Sequence, residues 1–404
     1  MHVLIIPGEE LNPSNTFSSV FELNQAVALR KANIEVGFIS IRNIGSLVTA
    51  FKNILIFKTN SFQNLIEILK QRKLNIHKIN DFNVIESVWF NKSPSVLRNQ
   101  NSEQLSEGLR AFRKYVKTFG FPDIVHAHSR FLTAGLIAYE IKKKYKIPFV
   151  LTEHSSFYAR KLVNKNEFKL IINIIQNCDE WITVSPQLGE LILKIIPGIN
   201  KKYKYLPNVL DTEFEKEFKL KIIQKKPFIF LNIASLDENK NHLSLIKAFA
   251  LNYRNDNNFE LHIGGKGELE LFLKKIVFDL GIQNQVKFLG QLNRKDVIEK
   301  IKSSHVFVLS SIYETFGVVL IEALALGKPI VATKCGGPEN IVTSENGYLV
   351  NVERIDVLAE ALKKIVFNYD NFSSSEIRKD CINRFGSRTF SNDLVSIYKK
   401  IINT

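Results

Sequence analysis

Two glutamates, Glu314 and Glu322, are separated by seven residues in the stretch Ser310-Ser-Ile-Tyr-Glu-Thr-Phe-Gly-Val-Val-Leu-Ile-Glu322. The apolar run Val306–Leu309 before them reads as a strand. Gly317 then opens a helix that Gly327 and Pro329 close. Glu314 falls in the loop at the strand's end, and Glu322 about a turn and a half inside the helix. Free amides around Phe316–Val318 suit an anionic group. A carboxylate on either side can accept hydrogen bonds from paired hydroxyls, as a ribose or hexose offers. The spacing alone equally allows a loop charge at Glu314 and an ordinary helix-surface residue at Glu322.

Other segments place polar residues at predicted strand ends. Asn232-Ile-Ala-Ser235-Leu-Asp-Glu-Asn-Lys240 runs from strand to polar loop, and Lys240 lies next to a helix start, where a point charge can meet a diphosphate. Gly264-Gly265-Lys266-Gly267 is a glycine-rich strand-to-helix turn, a fragment of a phosphate loop or an ordinary tight turn. In the first half, Pro122-Asp-Ile-Val-His126-Ala-His128 ends one strand and Thr152-Glu153-His154 the next. Three histidines at strand ends hint at a metal, but no carboxylate completes a recognisable motif, and none is expected.

The elements that must hold these residues follow from hydrophobic periodicity. Val3–Ile6, Val36–Ile41, Ile54–Phe57, Ile124–Ala127, Phe149–Thr152 and Trp181–Val184 read as buried strands. Amphipathic stretches Val20–Ala32, Glu103–Phe119, Leu132–Tyr145 and Glu167–Asn177 lie between several of them. After a charged connection, Glu213–Lys226, the pattern restarts with strands Phe228–Ala234, Leu261–Gly264, Val286–Leu289, Val306–Leu309 and Ile330–Thr333. Their helices are Leu243–Asn252, Leu269–Leu280, Asp296–Ser303, Val318–Leu326 and Val357–Val366. Repeated strand–helix alternation means an α/β protein with doubly wound parallel sheets, here two of them. Such sheets bind ligands beyond the carboxyl ends of their strands. Arg388–Ile402 reads as a final amphipathic helix.

Composition supports this division. The chain has 404 residues, 45% of them hydrophobic, enough for two buried cores and incompatible with disorder or a fibrous repeat. Net charge is +15, and residues 51–150 alone hold seventeen basic against seven acidic side chains. An acidic partner fits that surplus, as does a solvated lysine-rich face. Cys178, Cys335 and Cys381 are too far apart for a disulfide framework or a zinc motif, which fits a reducing compartment. The first residues do not read as a signal peptide, and no apolar run is long enough to span a bilayer. The expected location is cytoplasmic, soluble or peripheral on the inner face of the membrane. Specific nucleic-acid binding is not expected, because the basic surplus lacks interleaved aromatics or a recognisable module.

Taken in order, Pro-Asp-Ile-Val-His-Ala-His, Thr-Glu-His, Val184-Ser185, Leu206-Pro-Asn-Val-Leu-Asp211, Ser235…Lys240, Gly264-Gly-Lys-Gly, Val286-Lys-Phe-Leu-Gly290 and Glu314…Glu322 carry a family likeness. The chain resembles the group 1 (family 4) retaining glycosyltransferases from about its first residue to its last. The resemblance implies the GT-B architecture: two facing Rossmann-like domains, with a C-terminal helix crossing back to the first. The acceptor-side domain would be residues 1–212 plus 386–404, and the donor-binding domain residues 213–385.

The resemblance also implies roles. The second domain would bind a nucleotide-sugar, with UDP- or GDP-sugar as co-substrate and no cofactor. Glu322 would hold the ribose hydroxyls, and Thr315, Phe316, Gly317 and Val318 would meet sugar and diphosphate. Glu314 would bond the transferred sugar, Lys240 would neutralise the leaving group, and Gln291 would line the base pocket. From the first domain, His128 would sit by the donor sugar, making Glu314, His128 and Lys240 the catalytic set. His154 and the loop containing Ser19 would face a glycan or lipid-linked acceptor. No metal would be needed.

Two positions depart from the pattern. Many relatives carry an arginine, usually after a glycine, where this chain has Ala234-Ser235. Lys266 in the turn with Gly265 is the nearest substitute charge. The early Gly-Gly loop is also absent, and Ser19 stands where a subgroup has a single glycine. These departures leave two rival readings beside the transferase: a catalytically inactive partner subunit and a GT-B-type sugar-nucleotide epimerase.

Overall fold

The computed structural model describes residues 1–11, 19–46, 74–91, 97–129, 132–216 and 226–403. By internal contacts the chain divides into two units. The first comprises Met1–Thr183, Gly189–Leu206 and Ser391–Thr404; the second comprises Val184–Leu188 and Pro207–Phe390.

The first unit is built on strands β1 (His2–Ile6), β2 (Glu35–Ser46), β3 (Leu74–Ile79), β4 (Phe82–Asn91), β5 (Ile124–Ser129), β6 (Phe149–Glu153), β7 (Glu180–Thr183) and β8 (Lys204–Tyr205). Its helices include α1 (Val20–Lys31), α2 (Leu97–Phe119), α3 (Leu132–Tyr145) and α4 (Phe168–Asn177), and α5 (Pro186–Ile195) straddles the division between units. The strands lie in the order β3-β4-β2-β1-β5-β6-β7-β8, all parallel except β3, which runs antiparallel to β4. β1 is buried and apolar from Val3 to Ile6, and β5 is buried from Ile124 to His128 with His126 and His128 among its apolar residues, as strands covered on both faces are.

The second unit begins with the short helix α6 (Thr212–Glu215). It then alternates β9 (Phe228–Ile233), α7 (His242–Tyr253), β10 (Phe259–Gly264), α8 (Glu270–Asp279), β11 (Val286–Gly290), α9 (Arg294–Ser303), β12 (Val306–Leu309), α10 (Val318–Ala325), β13 (Ile330–Thr333) and β14 (Gly347–Val350). Helices α11 (Ile355–Phe367) and α12 (Ser374–Phe385) follow, and α13 (Ser387–Ile402) begins in this unit and passes into the first at Ser391. The sheet order is β11-β10-β9-β12-β13-β14, parallel throughout. Phe230, Phe249, Leu261, Ile263, Val308 and Leu362 anchor its core.

Each sheet reverses its winding once. In the first the chain leaves β1 for β2 and returns to β5 on β1's other side; in the second it leaves β9 for β10 and returns to β12. The crevices beside β1/β5 and β9/β12 are therefore the ligand sites this fold class favours.

Several expectations need correction. Residues 74–91 form a strand pair, β3 and β4, that the hydrophobic periodicity did not announce. β3 also makes the first sheet mixed rather than wholly parallel. In Leu-Asn-Ile-His-Lys-Ile the apolar residues are interleaved with polar ones, the pattern of an edge strand rather than a buried one. Helices α5, α6 and α12 and strands β8 and β14 were also missed. The expected strand at Ile54–Phe57 lies outside the described residues.

The candidate donor site and the histidine row

Within the second unit, Lys240 and Glu314 meet. Lys240 ends a short helical turn, Glu238–Lys240, after β9, and Glu314 lies in the loop after β12, the two strands flanking the reversal. Lys240 Nζ donates to Glu314 Oε1 at 2.6 Å, and Ser311 Oγ donates to the same oxygen at 2.7 Å. Burial disfavours the charge on Lys240, but the Glu314 carboxylate outweighs it and holds the amine above its ordinary range.

The loop bearing Glu314 is tied down at several points. Glu314 N–H donates to Cys335 O, and Gly337 N–H donates back to Glu314 O at 2.9 Å. Ser310 Oγ reaches Lys240 O, and Asn239 Nδ2 reaches Tyr313 O. Phe316 is buried edge-on against Phe385. Gly317, at φ 98°, makes the left-handed step into α10 that a side chain would oppose.

Glu322 is not a helix-surface residue. Helix α10 reads Val-Val-Leu-Ile-Glu-Ala-Leu-Ala, buried from Leu320 to Ala325, and Glu322 is only 5% exposed. Burial raises its carboxyl above the ordinary range, opposed by the adjacent Arg294 guanidinium. Arg294 Nη1 donates to Glu322 Oε1 at 2.7 Å, while its Nη2 and Nε reach Asp211 Oδ2 at 2.6 and 3.1 Å. A buried charge requires such a partner.

The glycine turn lies against the loop after β9. Leu236 N–H donates to Lys266 O at 3.0 Å and Ala234 N–H to Gly264 O at 3.0 Å. A Cβ on Gly265 would stand 1.9 Å from Ala234 O, and one on Gly267 2.3 Å from Leu236 O, so close backbone approach demands both glycines. The Lys266 side chain is exposed, and Ser235 Oγ donates to Asp237 Oδ2 at 2.6 Å.

In the first unit three histidines form a row. His126 and His128 are two apart on β5, hence on one face, with ring centroids 4.4 Å apart. His128 Nδ1 is 2.9 Å from His154 Nε2 just past β6. His126 Nδ1 faces the Gln25 amide at 2.9 Å and the Tyr398 hydroxyl of α13 at 2.5 Å, and its Nε2 faces Thr152 Oγ1 at 2.7 Å. Two donors at Nδ1 assign the proton to Nε2. Burial, with His154 nearby, pushes His126 down to about 3 and carries His128 well below its usual range. Beside them Glu153 is buried and raised to about 7, although Ser155 N–H and the Tyr158 hydroxyl donate to it. Among the described residues, no group of three or more His, Cys, Asp or Glu side chains is gathered as a metal ion requires.

A family model described as "Glycosyl transferases group 1" matches residues 213–384, and one described as "Glycosyltransferase Family 4" matches residues 83–214. The chain belongs to the group 1, family 4 glycosyltransferases. An uncharacterized glycosyltransferase of Methanocaldococcus jannaschii is 25% identical over 299 residues, covering 69% of this chain and 75% of its own. N-acetylgalactosamine-N,N'-diacetylbacillosaminyl-diphospho-undecaprenol 4-alpha-N-acetylgalactosaminyltransferase of Campylobacter jejuni is 30% identical over 199 residues, 49% of this chain and 52% of its own. Among solved structures, sucrose-phosphate synthase of Thermosynechococcus elongatus superposes with a TM-score of 0.75 at 17% identity, covering 100% of both chains. HepE of Anabaena, solved with UDP, gives 0.70 at 17% identity, covering 99% of this chain and 100% of its own. The glycosyltransferase therefore has the GT-B fold of these neighbours.

Of the residues read from its sequence, this glycosyltransferase brings Lys240 onto Glu314 and His128 onto His154. Thr315 and Val318 are half-buried around the start of α10, and Gln291 is exposed on the loop after β11. Ser19 stands at the N-cap position of α1 at φ 54°, a conformation that favours glycine, and its Oγ donates to Glu9 O and Glu10 O rather than accepting from the helix. Sequence reasoning missed Arg294. Its only local signal was Asn293, an N-cap accepting from Asp296 N–H, which marks a helix start three residues after Gln291.

Proposed function

We propose that the protein is a retaining, metal-independent glycosyltransferase that moves a sugar from a UDP- or GDP-sugar to a glycan or lipid-linked acceptor in surface glycoconjugate synthesis. The observation that carries this reading is the Lys240–Glu314 pair at the sheet reversal, with Glu322 buried in the helix that follows. Glu322 holds the ribose hydroxyls. Lys240, the amides at Phe316–Val318 and Lys266 beside Gly265 offset the diphosphate, the task a divalent ion would otherwise serve. Glu314 is held through Oε1 by Lys240 and Ser311, and its second oxygen takes a hydroxyl of the transferred sugar. Gln291 borders the base.

In the reaction the bond from the sugar's anomeric carbon to the diphosphate oxygen breaks, and the acceptor oxygen bonds to that carbon on the same face. The acceptor proton passes to the departing diphosphate. Lys240 stabilises the charge that develops there. His128 and His154 of the first unit serve the donor sugar and the acceptor, with Ser19 at the acceptor loop.

The Campylobacter relative's name includes a diphospho-undecaprenol, and HepE was solved with UDP. The first supports a lipid-linked acceptor and the second a nucleotide-sugar donor. The basic surplus of residues 51–150 supports peripheral contact with an anionic membrane from the cytoplasmic side. No helix among the described residues is long and apolar enough to cross a bilayer.

A thermal-shift screen against nucleoside diphosphates and nucleotide-sugars tests the reading. A ligand of the native state at a hundredfold excess over Kd adds about 2.7 kcal/mol of stability. A flat response to every donor overturns it. One observation favours the inactive-subunit reading: Ser235 replaces the arginine of many relatives and is tied to an aspartate. Turnover by the isolated protein removes that alternative.

A further inference from the structure

Glu322 is the one charged residue in the sequence of α10, and its cation comes from outside the motifs that signalled the site. Arg294 is the first residue of α9 and is fixed on several sides. Two of its nitrogens meet Asp211 Oδ2, and its guanidinium lies 4.5 Å from the centre of the buried Phe214 ring. Asp211 is itself held, because its Oδ1 caps α6 by accepting Glu213 N–H at 2.8 Å. The remaining arm, Nη1, ends on Glu322 Oε1.

We propose that Arg294 is a positioning residue for donor binding: it grips the Glu322 carboxylate through Oε1 and so presents Oε2 to the ribose of the nucleotide. This rests on the reading above, in which Glu322 takes the ribose hydroxyls. A planar fork with its other edge on Asp211 and its face on Phe214 gives Glu322 a defined direction, which a mobile lysine would not. It also supplies the positive charge that keeps a buried carboxyl ionised, the state that accepts from two hydroxyls.

The other groups near α10 are not placed for this role. From α12, Arg378 donates to Ala325 O and Cys381 Sγ to Ile321 O, both backbone contacts. Glu215 of α6 is bonded to Ser387. Strands β12 and β13 carry no titratable side chain. Asp211 is the one further charge acting on Glu322, and it opposes ionisation.

The test is calorimetric titration of the full chain with UDP and GDP and with their 2′-deoxy forms, between about pH 6 and pH 8.5. Wild type, Arg294→Met, Arg294→Lys and Glu322→Gln are compared, with melting curves to establish that each is folded. Wild type should prefer the ribonucleotide at every pH. Arg294→Met should lose about tenfold in ribonucleotide affinity near pH 6 and regain part of it towards pH 8.5, as the unpaired carboxyl recovers its charge. The 2′-deoxy form should bind it as it binds wild type, and Arg294→Lys should restore part of the preference. If Arg294→Met does not fold, Arg294→Lys decides by the same ratio, with a preference below that of wild type expected.

Equal losses for ribose and deoxyribose forms at all pH values would mean a merely structural ion pair and overturn the proposal. So would a preference lost in Glu322→Gln but kept by the Arg294 variants. If Glu322→Gln keeps the full preference, or neither probe binds wild type, the donor reading itself fails.

Discussion

Lys240 Nζ stands 2.6 Å from Glu314 Oε1 although 74 residues separate them in the chain. Each lies just beyond the carboxyl end of one of two neighbouring strands, β9 and β12, and the parallel pairing of those strands brings them together. Lys240→Ala leaves the Glu314 carboxylate without its cation and, in the proposed function, the diphosphate without a counter-charge. Turnover should fall about a hundred- to a thousandfold. Steady-state kinetics with the donor found by the thermal-shift screen checks this, and an unchanged kcat would remove Lys240 from the catalytic set.

Glu322→Ala should weaken nucleotide binding by ten- to about a hundredfold, the worth of hydrogen bonds to a charged group. Isothermal titration with UDP and GDP measures it. Affinity equal to wild type would exclude Glu322 from the donor site.

Gly265→Ala should cost more stability than an ordinary glycine replacement. The new Cβ would press within 1.9 Å of Ala234 O at a φ of 129°. A loss of about 2 kcal/mol or more is expected, read as a lowered melting temperature. Gly120→Ala is the control: its φ is 86°, nothing lies within 4 Å of its Cβ, and its cost should be only about 1 kcal/mol.

The histidine row should make the protein sensitive to acid. His126 is held down to about 3 in the folded chain, against about 6.5 when unfolded. Between those values the unfolded state binds a proton that the folded state refuses, so stability rises with pH. The contribution is complete above about pH 6.5 and is lost as pH falls towards 3, at up to about 1.4 kcal/mol per pH unit for each such histidine. Urea unfolding at stepped pH should show this slope, and His126→Gln should reduce it by about one proton. An unaltered slope in that variant would place the titration elsewhere.

Much of the candidate site was legible as a juxtaposition of polar residues because they sit in short local patterns. Glu314 and Glu322 flank a strand–loop–helix junction, and Lys240 follows a strand and precedes a helix, each within a window that periodicity resolves. Arg294 was not legible. It occupies an ordinary first-turn position, and nothing local distinguishes it from Lys295 beside it until the fold sets it against Asp211, 83 residues away. β3 and β4 were missed for a related reason: in β3 the apolar residues are interleaved with Asn, His and Lys, and in β4 Asn83, Glu86 and Ser87 break them into runs of two and three, shorter than the run that announced the other strands.

The sequence by itself determined the α/β alternation, two successive sheets and the order of chemically capable residues along them, because strand and helix periodicities are local properties. Tertiary structure decided which of those residues meet and which are buried. Glu322 is a helix residue of no evident burial until α10 is enclosed, and its carboxyl then requires Arg294. His126 is one strand histidine among others until Gln25, Thr152 and Tyr398 surround it from three distant parts of the chain. Burial and pairing of charge arise only when separate segments close around a side chain, and no local window contains that information.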